Sequence, residues 1–209
     1  MKTMHVGTLA FVYALALAPL PTQANLVSTF DSGNEGWSAV DPTADYTSVW
    51  QSSGGNPGGY LLGTESSPLG NTGYFIAPAA WLGDLSIYAG GTLSYDLRVV
   101  SGTAYFADAD IQICSGATCA SWTGPNPVGN GWVTFSTTLV PANFSGGNLA
   151  AILSNVTQLR LRGEFITGVE QEAFDNVRLT AAIPEPESYA MLLAGLGLLG
   201  WITKRRRAS

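Results

Sequence analysis

Gly90-Gly91-Thr92-Leu93-Ser94-Tyr95-Asp96-Leu97-Arg98-Val99 alternates without interruption once past its two glycines. Leu93, Tyr95, Leu97 and Val99 occupy every second position, and Ser94, Asp96 and Arg98 fill the gaps. Successive side chains of an extended strand point to opposite faces, so this run predicts a strand with one apolar and one polar face. Val133, Phe135 and Thr137 repeat the pattern, and Leu159 and Leu161 against Arg160 and Arg162 repeat it again. Phe174 precedes a closing strand, Asn176-Val177-Arg178-Leu179, whose apolar residues point inward. Turn clusters at Gly54-Gly55-Asn56-Pro57-Gly58-Gly59, Gly90-Gly91 and Gly124-Pro125-Asn126-Pro127 separate the runs. The one compact helical stretch in this region is Asn148 to Ser154, a turn or two long. An antiparallel sheet with one apolar face needs a second sheet to cover it, so the expected fold is all-β, a jelly-roll β-sandwich.

The two ends read differently. Met1-Lys2-Thr3, the apolar stretch Leu9 to Leu20 and the exit Pro21-Thr22-Gln23-Ala24 form the three parts of a secretory signal, with cleavage expected after Ala24. At the other end Pro184-Glu185-Pro186 leads into an apolar segment, and Lys204-Arg205-Arg206-Arg207 closes it. Cations directly after an apolar segment are retained in the cytoplasm, so the segment reads as a single transmembrane helix holding the chain outside. From Ser188 to Thr203 it has 16 residues, short against the ~20 of an unstrained span. Gly195, Gly197 and Gly200 give it a small-residue face. The expected division is therefore a signal peptide at 1–24, one domain at 25–182 and a sorting segment at 183–209.

Between the ends lie thirteen carboxylates and four arginines, a net charge of −9. Such a balance disfavours nucleic acid and anionic lipid and leaves a neutral glycan, a cation or another protein open. The only histidine, His5, and both lysines, Lys2 and Lys204, lie in the end segments. A domain without either residue type builds no histidine triad, histidine metal cluster or lysine Schiff base. Carboxylate and cysteine chemistry remain. Cys114 and Cys119 enclose Ser115-Gly116-Ala117-Thr118, and in an oxidising compartment this spacing predicts a disulfide across a hairpin tip.

Other candidate sites rest on weaker patterns. Asp31, Asn34 and Glu35 crowd a glycine-rich loop near the chain's first strand, and Asp175 lies beside its last, a set of hard oxygen ligands suited to a structural calcium. The same residues also serve as turn formers. Trp122 and Trp132 flank the loop at 124–131 and are the best candidates for a ligand face, since exposed indoles stack on sugar rings. Asp108 and Asp110 would be the pair for a carboxylate hydrolase, although an exposed acidic face is the more ordinary meaning of that spacing.

Two resemblances complete the reading. The tail "IPEPESYAMLLAGLGLLGWITKRRRAS" resembles the PEP-CTERM sorting signal, with its Pro-Glu-Pro motif, glycine- and leucine-rich helix and arginine cluster. That resemblance implies a precursor anchored in the inner membrane and facing the periplasm, cleavage near the motif by an exosortase, and release to the cell surface or beyond. From Ser28 to Val99 the chain is similar to the laminin IV domain. The motifs are Phe30-Asp31 with Gly36-Trp37, Pro57-Gly58-Gly59, Ala77-Pro78, Trp81-Leu82-Gly83-Asp84 and Gly90-Gly91-Thr92-Leu93-Ser94-Tyr95. This second resemblance implies a galactose-binding-like jelly roll, a fold shared with many carbohydrate-binding modules. The functional expectation is a non-catalytic domain binding glycan, exopolysaccharide or another envelope component, with a protein-binding adhesive domain as the alternative and a carboxylate hydrolase as the third.

Overall fold

The computed structural model describes residues 25–40, 44–67, 72–101, 105–182 and 186–207. The signal-peptide expectation at 1–24, together with Pro184 and Glu185, lies outside them. Twelve strands run in chain order: β1 (Leu26–Ser28), β2 (Ser38–Val40), β3 (Tyr46–Gln51), β4 (Tyr60–Glu65), β5 (Tyr74–Ile76), β6 (Thr92–Ser101), β7 (Ile111–Ser115), β8 (Thr118–Trp122), β9 (Val133–Thr138), β10 (Ser145–Gly146), β11 (Gln158–Arg162) and β12 (Gln171–Thr180). The helices are α1 (Leu149–Leu153) and α2 (Pro186–Arg207). The strands form two six-stranded sheets. The first has the order β3-β4-β12-β6-β9, with β1 also pairing on β12, and the second is β10-β8-β7-β11-β5-β2. All pairings are antiparallel, and the two layers close a β-sandwich, as the alternation predicts.

The inner faces carry the residues that the alternation picks out. Leu93, Tyr95, Leu97 and Val99 of β6 are buried, as are Leu159 and Leu161 of β11 and Phe135 of β9. Between the sheets the rings form one connected cluster centred on Phe174. Phe174 stacks on Phe75 of the opposite sheet, centroids 4.2 Å apart and planes 8° from parallel. It also meets Trp37 at 5.5 Å, Tyr95 at 5.6 Å and Phe30 at 5.7 Å. Trp37 in turn packs edge-on against Trp81 and donates its Nε1 hydrogen to Ser28 Oγ at 3.0 Å. Buried indole N–H groups find acceptors in this way.

The closing strand is longer than its sequence pattern suggests. β12 begins at Gln171 and includes Phe174, with a register irregularity between Asp175 and Arg178. Asn176 there adopts φ 52°, a left-handed conformation that asparagine tolerates better than most residues. This irregularity places Phe174 and Val177 on one face despite their odd spacing, which hides the strand's phase from a period-two reading.

Arg162 also departs from expectation. Alternation places it with Arg160 on the solvent side of β11, yet it is 1 % exposed. Its Nη1 lies 3.2 Å from Asp110 Oδ1, and its guanidinium sits 4.5 Å from the Phe106 ring centre and 4.3 Å from that of Phe165. The ion pair and two aromatic faces replace the water it gives up.

Cys114 and Cys119 oppose each other across the β7–β8 hairpin, with Cα atoms 4.0 Å apart, and form the disulfide. Gly116 supplies the positive φ of 58° in the intervening turn. Asn148 caps α1 by accepting from the Ala151 N–H, so the short helix stands where the sequence places it.

The C-terminal segment is helical over Pro186–Arg207. The structure does not show the expected transmembrane helix: among the described residues no helix is long and apolar enough to cross a membrane. The physical reason is the 16-residue apolar stretch, closed by Glu187 on one side and by Lys204-Arg205-Arg206-Arg207 on the other.

Because Phe174 touches rings from both sheets, Phe174→Ala is expected to lower the unfolding free energy by about 3–5 kcal/mol. Urea denaturation of the disulfide-intact protein measures this, and a loss below about 1 kcal/mol would contradict the central role given to the ring.

Candidate functional site

The outer face of the first sheet is where the polar residues of alternation gather. Register sets Arg98 of β6 beside Ala173 of β12, and Asp96 beside both Asp175 of β12 and Thr134 of β9. Arg98, Tyr60 at the start of β4 and Trp132 just ahead of β9 are half-buried. The Tyr60 and Trp132 rings meet edge to face, centroids 6.1 Å apart and planes at 83°. The Arg98 guanidinium lies 4.8 Å from the Trp132 ring centre and 5.9 Å from that of Tyr60. The two rings therefore form a corner, with a cation set against both.

A polar network borders this corner. Asp96 accepts from Thr134 Oγ1 at 2.6 Å and from the side-chain amides of Asn56 and Asn176 at 3.0 Å each. Asp175 accepts from the Asn56 N–H at 2.6 Å and the Asn176 N–H at 2.7 Å. Asn176 also donates to the Asn56 carbonyl. The β12 irregularity thus pins the glycine-rich loop at 54–59 against the sheet. Gly55 and Gly58 are needed there: a Cβ on Gly55 would lie 2.8 Å from Asp175 Oδ2, and one on Gly58 would lie 2.0 Å from Asp31 Oδ1. Burial raises the Asp175 carboxyl to about 6 against the two N–H bonds that lower it, and Asp96 and Asp31 add to the rise.

Trp132 therefore stands in the candidate face, but Trp122 stands in a different setting. Trp122 is half-buried and lines a pocket of about 190 Å³ with Pro125, Val133, Thr134, Phe135 and Ser136, against the edge strand β9. Thr134 joins the two places, since it lines the pocket and also donates to Asp96. Tyr60 and Arg98 are the members that sequence reasoning missed. The alternation of β6 puts Arg98 on the polar face, but only the sheet order sets β4, β6 and β9 near enough for the three side chains to meet.

The remaining candidates are placed as follows. Glu35 turns to its own loop, accepting from the Thr29 N–H at 3.2 Å and the Phe30 N–H at 2.6 Å, and Asp31 accepts from Thr29 Oγ1 at 2.9 Å. Among the described residues no group of three or more His, Cys, Asp or Glu side chains is arranged to hold a metal ion. The reading of Asp108 and Asp110 as an exposed acidic face is corrected, because Asp110 is 1 % exposed. Asp110 holds Arg162 and accepts from the Gly124 N–H at 2.5 Å, whereas Asp108 accepts from Thr72 Oγ1 and the Ala109 N–H. Burial raises the Asp110 pKa despite the opposing pull of Gly124 and Arg162.

A second acidic group is hidden between the sheets. Glu65, Glu164, Glu170 and Glu172 are each at most 5 % exposed. Glu170 accepts from the Phe165 and Ile166 N–H groups at 2.9 and 2.7 Å, and Glu164 accepts from the Gly73 N–H at 2.8 Å. Glu172 accepts from the Tyr46 hydroxyl at 3.4 Å. Tyr46 is enclosed by Gly63, Gly73 and Gly163, where any Cβ would fall within 2.3 Å of it. Burial raises the pKa of both Glu170 and Glu172, and for Glu172 the adjacent Glu170 and Glu164 carboxyls add to the rise. Two backbone N–H donors favour Glu170 as the ionised member, so Glu172 is the one kept protonated.

Comparison with known proteins agrees with this architecture. The family Laminin B (Domain IV) matches residues 74–193, more than half of the chain, and the chain belongs to that family. The match begins at β5, so it overlaps the motifs quoted from the first half only over 74–99. Residues 182–207 match the PEP-CTERM protein-sorting motif, which marks an exported protein. The L4b domain of human laminin α2 superposes with a TM-score of 0.58 at 10% identity, covering 76% of this chain and 98% of that one. The family 11 carbohydrate-binding module of the cellulase Lic26A-Cel5E of Clostridium thermocellum superposes with a TM-score of 0.51 at 13% identity, covering 78% and 98%. An exo-β-agarase gives 0.54 at 14% identity, covering 75% of this chain and 24% of that one. No curated protein matches in sequence.

The raised carboxyls carry a pH signature. A glutamate whose folded pKa lies above the 4.5 of an ordinary one stabilises the fold fully below that pH. The contribution is lost as pH rises, because the unfolded chain releases the proton first. Unfolding free energy is therefore expected to fall from about pH 5 through neutrality, and Glu172→Gln is expected to flatten that decline. Melting temperatures across pH 4.5–9 check it; an unchanged slope in the variant would count against Glu172 as the proton holder.

Proposed function

We propose that the outer face of the first sheet binds a glycan and that the chain is an envelope or extracellular-matrix protein released through exosortase processing. The observation that carries the reading is the corner formed by Tyr60 and Trp132 beside Arg98 on the outer face of the first sheet. Rings placed there cover no core, and their C–H and π surfaces suit the apolar face of a sugar ring. Thr134, Asn56, Asn176 and Asp96 border the corner with donors and acceptors for hydroxyl groups. The adjoining pocket beside Trp122 would extend the contact past a single residue of the chain. The fold shared with a family 11 carbohydrate-binding module is in keeping with this role.

In this reading the precursor is held briefly at the inner membrane with its β-sandwich in the periplasm, and cleavage near Pro184-Glu185-Pro186 frees it for the cell surface or matrix. The glycan half of the proposal is tested on a polysaccharide array. Trp132→Ala and Tyr60→Ala should each weaken the retained ligand on the order of tenfold or more, with unchanged melting temperature. Equal binding by wild type and both variants would remove the corner from the site. The processing half is tested in the producing cell: replacing Pro184, Glu185 and Pro186 by alanine should leave the precursor unshortened at its C-terminus, as read by intact mass. Normal shortening would refute it.

A further inference from the structure

We infer that the Tyr60, Arg98 and Trp132 corner selects an acidic glycan, with Arg98 pairing to a sugar carboxylate; this rests on the glycan reading above and specifies its ligand class. Among the described residues Arg98 forms no ion pair, and its Nε is buried without a hydrogen-bond partner. Two carboxylates of the same face are already committed. Asp96 receives three donors through its two oxygens, and both oxygens of Asp175 are taken by backbone N–H groups. Neither lies within ion-pair distance of Arg98. A guanidinium held against two rings is partly stripped of water, and its planar fork matches a carboxylate in two-point contact.

Net charge opposes an anionic ligand at long range, because the domain's balance is −9. The structure removes part of that objection. Seven of its thirteen carboxylates, Glu65, Asp96, Asp110, Glu164, Glu170, Glu172 and Asp175, are at most 8 % exposed. Burial raises the pKa of Glu170 to about 7 and of Glu172 to about 11, so this buried pair carries less than its formal charge near neutral pH. The field outside is weaker than the composition implies, and at physiological salt it decays over about 8 Å. Local complementarity at Arg98 then decides which sugar is held.

The test compares one polymer in two charge states: polygalacturonate and the same polymer after carboxyl reduction, titrated against the full processed protein. The expected result is binding on the order of tenfold or more tighter for the acidic form, a preference that falls as salt rises. Arg98→Gln should abolish the preference while keeping the weaker binding common to both polymers, and Arg98→Lys should restore part of it. Trp132→Ala should weaken both polymers alike. If the reduced polymer binds as well as the acidic one, or if Arg98→Gln keeps the preference, the charge selection is overturned while the glycan site stands. If neither polymer is retained and the array above is also blank, both readings fall together.

Discussion

The structure depends first on a contact between its two layers: Phe174 of β12 lying flat against Phe75 of β5. β12 is central in the first sheet, flanked by β4 and β6, and β5 lies within the second. A stacked ring pair from two interior strands fixes the spacing of the sheets and their lateral offset together, which apolar area alone would leave free to slide. Trp37, Tyr95 and Phe30 close around it, so the start of the domain is tied to its end through the same ring.

Close packing of this kind leaves polar groups only a few ways to be inside. Arg162 and Asp110 neutralise each other between aromatic faces, whereas Glu170 and Glu172 lie side by side, form no ion pair among the described residues, and are accommodated by a proton and backbone donors. These solutions have opposite chemical consequences. The first keeps both charges and ties β11 to the segment before β7. The second removes a charge by holding a proton beside Tyr46.

The outer face is organised by an irregularity in the ladder and not by the core. A left-handed Asn176 breaks the register of β12, and the side chains freed by that break hold the loop at 54–59 down beside Asp96. Tyr60 leaves that loop already aimed at Trp132. The corner so built draws its side chains from β4, from β6 and from the residue before β9, beside a loop held by hydrogen bonds to β12.

The amino-acid order by itself determined the sandwich, the hairpin disulfide and the sorting motif at the C-terminal end. Each follows from local rules: a period of two, a five-residue spacing between cysteines, and the succession of a Pro-Glu-Pro motif, an apolar segment and a cation cluster. The apolar segment is helical, yet not long and apolar enough to cross a membrane, a distinction set by hydrophobic length. Composition exposed the charge of the domain but not where it resides; burial of Arg162, Asp110 and the four glutamates is a property of packing between strands distant in sequence. The corner of Tyr60, Arg98 and Trp132 is likewise tertiary. Its members come from three separate segments, and only the strand order β4-β12-β6-β9 sets their side chains on one face within reach of one another.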